Sequence, residues 1–67
     1  MASQAAVYVH AITMLSERAE VVAANLNRHP ADAILAQEHA ALHRSLRLFR
    51  ARLQRTEELA RVNARRG

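Results

Sequence analysis

The chain has no cysteine and no lysine, a single glycine, a single proline, and only Tyr8 and Phe49 as ring hydrophobics. Without cysteine there can be no disulfide and no thiolate metal ligand. With so few chain breakers, and 15 alanines among 67 residues, the composition is that of an almost wholly helical protein. No uninterrupted apolar run reaches the roughly 18 residues a bilayer span needs. The opening MASQAAVYVHAITML lacks a basic segment, and Gln4, His10 and Thr13 interrupt its apolar residues, so no secretory signal is expected. A cytoplasmic protein that does not enter a membrane is the expectation.

The length sets a second bound. Sixty-seven residues make one domain at most, and a chain this short buries too little surface to be comfortable alone. Disulfides are excluded and a structural metal is disfavoured, which leaves oligomerisation. A homodimer is therefore expected before any pattern is read.

Charge is one-sided in kind and in place. All ten basic residues are arginine, which GC-rich coding bias explains and the alanine content also suggests; selection for planar, bidentate donors is the alternative. Residues 1–29 hold Arg18 and Arg28 against Glu17 and Glu20 and are neutral. Residues 30–67 hold eight arginines against Asp32, Glu38, Glu57 and Glu58, which accounts for the whole net charge of +4. Between His39 and Thr56 there is no acid at all.

What is present is two helical seams. Tyr8, Ile12, Leu15, Ala19, Val22 and Leu26 are spaced 4, 3, 4, 3, 4, and Leu35, His39, Leu42, Leu46, Phe49 and Leu53 repeat that spacing. The first helix is predicted over about 3–27 with Ser3 as N-cap, fading at NLNRHP, where Asn25 or Asn27 can adopt the left-handed conformation of a C-cap. A turn over about 28–30 follows. A second helix is predicted over about 31–65, with Pro30 in its first turn and Asp32 favourable to its dipole. Two helices joined by a short turn make an antiparallel hairpin, one domain over 1–67. Pairing the seams around the turn sets Leu26 near Leu35, Ala19 near His39, Leu15 near Leu42 and Tyr8 near Leu53. Residues after about 57 then overhang the first helix by roughly 15 Å.

A second set of apolar positions lies beside the seams. Val7, Met14 and Val21 stand one position before the first; Ile34, Ala41 and Leu48 stand one before the second; Leu59 and Val62 prolong the line. Equivalent flanks of an antiparallel pair lie on the same side, so these eight residues form one continuous apolar face. A face that large is not left bare on a soluble monomer. The expected architecture is all-α: two hairpins, packed through this face, in a four-helix bundle.

No catalytic constellation is expected. Ser16 and Ser45 fall in mid-helix, no glycine-rich loop exists, the acids are scattered, and two helices offer no concave pocket for a small-molecule substrate. His39 and His43 are four apart, a spacing that can present two imidazoles to one ion. The order HEXXH is absent, however, and His10 falls at the far end of the hairpin, so no metal site and no cofactor are expected; His39 is read as a hydrogen-bonded seam residue and His43 as part of the basic flank.

That flank carries the functional expectation. His43, Arg47, Arg50, Gln54, Glu57 and Arg61 follow one another along one side of the second helix, with Arg44 and Arg55 further round. The candidate contact residues are His43, Arg44, Arg47, Arg50, Arg55 and Arg61. A face neutralised locally by Glu57 and Glu58 with Arg61 and Arg55 would be merely solvated. Phosphates of duplex or structured RNA or DNA would suit the charge, although Tyr8 and Phe49 lie on seams and cannot stack on bases. A protein surface held by arginine anchors is the third reading. The layout resembles the Rop family of RNA-binding proteins, dimers of helical hairpins of about this length; those bind RNA with the first helices of both subunits, the stretch that here holds Arg18 and Arg28. It is also similar to small proteins of temperate phages of GC-rich bacteria, among them a quorum-sensing anti-activator, which are dimeric hairpins that bind and disable host proteins. These resemblances imply a small regulator. The first expectation is a phage-type inhibitor of a partner protein such as a host transcriptional regulator, the second a nucleic-acid-binding regulator, the third an assembly adaptor.

Overall fold

The computed structural model describes residues 3–66 and contains two helices, α1 (Gln4–Arg28) and α2 (Ala33–Arg66), packed against each other as an antiparallel hairpin. α1 starts where Ser3, in extended conformation, lets its hydroxyl accept from the Ala6 N–H at 3.1 Å. Its end differs from the expectation. No described residue has positive φ, so neither Asn25 nor Asn27 is left-handed. Instead His29, at φ −131°, donates its backbone N–H to the carbonyls of Asn25 and Leu26 at 3.0 and 3.2 Å. The cause is Pro30: the residue before a proline is driven out of the helical region, and His29 stops the helix by that route.

The start of α2 lies later than predicted. Pro30 and Ala31 belong to the turn, not to the helix, and Asp32 is the capping residue. Its Oδ1 accepts from the N–H groups of Ile34 and Leu35 at 3.0 and 3.1 Å, while its own N–H donates to the His29 carbonyl at 3.0 Å. One carboxylate thus satisfies two of the four orphan donors of the helix start.

All twelve seam residues are buried or half-buried, and Ala19, Val22 and Leu46 are the most enclosed. The seam also runs one step further at each end than its large apolar residues suggest. Ala5 and Thr56 keep the spacing and are half-buried, and the Thr56 hydroxyl donates to the Arg52 carbonyl at 2.9 Å. At its open end the rings of Tyr8 and Phe49 meet at 6.0 Å between centroids, tilted by 47°.

The middle of the seam is paired differently from the expectation. His39 borders a surface depression with Ala23, Ala24 and Leu26, while Ala19 borders another with His43 and Leu46. Ala19 and His39 are therefore not opposite each other. The physical reason is that alternate seam positions are inequivalent: in an antiparallel pair a residue followed by a gap of three faces one followed by a gap of four. Leu26 with Leu35 and Tyr8 with Leu53 obey this; Ala19 with His39 and Leu15 with Leu42 match like with like.

The hairpin is a rod of 55 × 19 × 13 Å. Its radius of gyration is 15.9 Å, against about 11 Å for a compact domain of this length. Residues 57–66 of α2 are exposed throughout, an overhang of about 15 Å beyond α1.

Candidate interaction faces

Two faces flank the seam. The first is the apolar one. Among the described residues eight large apolar side chains are exposed, from 47% for Val62 to 76% for Ile34, and seven of them are Val7, Met14, Val21, Ile34, Leu48, Leu59 and Val62, the residues that line up beside the seams; the eighth is Val9. Ala41 is exposed as well. Continuity is where the structure departs from the sequence reading. Arg18 and Glu38 each stand one position before a seam residue, on the same flank, and they cross from α1 to α2 there. The Arg18 Nε and Nη2 both donate to Glu38 Oε1, at 3.0 and 2.7 Å. The apolar face is thus interrupted by this internally neutralised pair and, nearer the open end, by Arg52. Arg52 occupies the same flank, its guanidinium 5.9 Å from the centroid of the Phe49 ring. The sequence held the signal for the bridge: opposite charges at equivalent flanking positions of an antiparallel pair.

The second face is basic. His43, Arg47, Arg50, Gln54, Glu57 and Arg61 are all exposed, with Arg44 and Arg55 exposed beside them. Spacings of 4, 3, 4, 3, 4 keep the six in register along α2 for about 27 Å. Among the described residues the ion pair Arg18–Glu38 is the one present, so none of the eight arginines of α2 is paired with a carboxylate. Glu57 and Glu58 do not neutralise Arg61 and Arg55; Glu58 instead accepts from the Gln54 side-chain amide at 3.4 Å. Glu20 of α1 borders the same depression as His43 and Arg50 and forms no ion pair with them.

At the turn-proximal end of this face His39 and His43 are in contact. Their Nε2 atoms are 3.2 Å apart and their rings 4.3 Å between centroids, so one ring donates a hydrogen bond to the other. His39 is half-buried, and its hydrogen-bond partner is thus its neighbour one turn along. Among the described residues no three histidine, aspartate or glutamate side chains converge on a common point. The depressions along the rod are open grooves: alanines with Leu26, Asn27, Pro30 and His39 line the one nearest the turn, and charged residues join alanine in two others. No helix is long and apolar enough to cross a membrane, counting described residues. Compared with protein-family models, with curated proteins and with solved structures, the chain matches none.

Proposed function

We propose that two copies of the hairpin pack through the interrupted apolar face into a four-helix bundle, and that the bundle is a non-enzymatic binding protein whose arginine line holds a partner protein. Inhibition or modulation of that partner, a transcriptional regulator being the first candidate, is the role this reading assigns. Surface area supports the pairing. The chain exposes 5449 Å², whereas a compact protein of 7.5 kDa exposes about 4,200 Å². The excess of about 1,200 Å² per chain is ample for a stable interface, which buries about 1,200–2,000 Å² over both partners.

The observation that carries the binding reading is the line of unpaired arginines on a helix whose seam and apolar flank already have uses. Guanidinium groups are planar, weakly hydrated donors that suit carboxylates on a facing surface. Protein is favoured over nucleic acid by two features. Tyr8 and Phe49 pack on each other and leave neither a tyrosine nor a phenylalanine ring for a base. Glu57, with Gln54 before it, sits within the basic line itself, where a carboxylate would repel phosphates but can receive a donor from a mixed protein surface.

Gel retardation separates the two. With generic duplex RNA and DNA, the protein reading expects no shift at physiological salt, and a defined partner recovered at fixed stoichiometry that the double reversal R47E/R50E releases while the dimer persists. Retention of duplex at physiological salt, lost in R47E/R50E and falling steeply as salt rises, would replace it with the nucleic-acid reading.

A further inference from the structure

We infer that His39 and His43 form a two-point chelate for a divalent transition-metal ion of the Zn²⁺, Ni²⁺ or Cu²⁺ kind. One turn of α2 brings the two Nε2 atoms to 3.2 Å. Imidazole nitrogen binds such ions at about 2.0–2.1 Å, so one ion reached by both atoms subtends an angle of roughly 100°, between the right angle of octahedral or square-planar sites and the tetrahedral value. The pair therefore needs no change of backbone to become a chelate. The hydrogen bond between the rings holds one proton at an Nε2 atom; coordination transfers that proton to Nδ1 of the same ring, and both imidazoles bind as neutral ligands.

The two histidines contribute differently. His39 is held in the seam, half-buried beside Ala23 and Leu26, which fixes its ring. His43 is exposed and opens the site to solvent. Arg44 and Arg47, neighbours of His43 along α2, and Arg50, which borders the same depression, oppose a cation, and Glu20, which borders that depression from α1, offsets part of their charge. With no third side chain converging among the described residues, water fills the other positions, and the ion clamps one turn of α2.

The chain has four histidines, and His10 and His29 stand apart from the pair, which supplies the control. Titration calorimetry of the full chain with ZnCl₂ and with NiCl₂ should show one ion per chain, and the bound ion should raise the melting temperature, because the unfolded chain does not hold the two rings together. Removing even the hydrogen-bonded support of a ligating histidine costs 10–100-fold in affinity, so His43→Gln, which changes an exposed residue, should weaken binding by at least ~10-fold. The double variant H10Q/H29Q should bind as the parent does. Circular dichroism establishes that each variant is helical. No heat and no shift in melting with either ion overturns the inference, and so does binding that persists in His43→Gln or vanishes in H10Q/H29Q.

Discussion

One carboxylate starts the longer helix. Asp32 holds two backbone N–H groups at 3.0 and 3.1 Å, and no other side chain does so at that helix start. Asp32→Ala should therefore destabilise the protein by about 1 kcal/mol, the usual worth of a cap, measured by urea unfolding at fixed chain concentration. Leu46 is 3% exposed in a thin core; Leu46→Ala should cost about 2–3 kcal/mol, the low end for a buried leucine, because a rod with one layer of neighbours can close around the gap. The Arg18–Glu38 bridge should rank last. Its side chains are 57% and 35% exposed, and Arg18→Ala should cost less than about 1 kcal/mol. A larger loss from Arg18→Ala than from Leu46→Ala would mean that the hairpin is held electrostatically. At this scale Ser3 was legible as a cap from its type and place, whereas Asp32 read as a residue favourable to the dipole, because Pro30 suggested an earlier helix start. The His39–His43 contact was half legible: spacing put the rings on one side, but only their rotamers turn the two Nε2 atoms towards each other.

At the scale of the element, spacing carried most of the information. Twelve seam positions could be read from the sequence because the 4, 3 spacing runs through them between large apolar residues, and Ala5 and Thr56 were missed because each lies past the end of its run and neither is large. Register was harder. The pairing counted outward from the turn set Ala19 opposite His39; placing that middle demanded the distinction between alternate seam positions, which a count of apolar residues does not make. The Arg18–Glu38 bridge, found on the flank the apolar line shares, followed from the same rule and went unread. α2 outlasts α1, and residues 57–66 are exposed throughout. An isolated helical stretch of that length is marginal in water. Hydrogen exchange should therefore separate two cases: in the proposed bundle the amides around Leu59 and Val62 are protected to a degree that rises with protein concentration, whereas an uncovered overhang exchanges fast at every concentration.

For the molecule as a whole, the shape and the apolar face argue in one direction. Among the described residues three are well enclosed while seven large apolar side chains are exposed along one flank, so the rod has more surface to hide than its own core can take. Met14→Glu and Leu48→Glu, on α1 and α2 of the same face, should each lower the melting temperature and remove its dependence on concentration, since a charge buried without a partner is costly. The basic face should respond oppositely: reversal at Arg47 and Arg50 should leave melting nearly unchanged, as expected of exposed positions. The most direct test is sedimentation equilibrium of the full chain at micromolar concentration, with circular dichroism on the same sample. A helical species of twice 7.5 kDa is the predicted result. A helical, cooperatively folded species of 7.5 kDa would contradict the account, because the apolar flank would then be free surface with no second copy upon it.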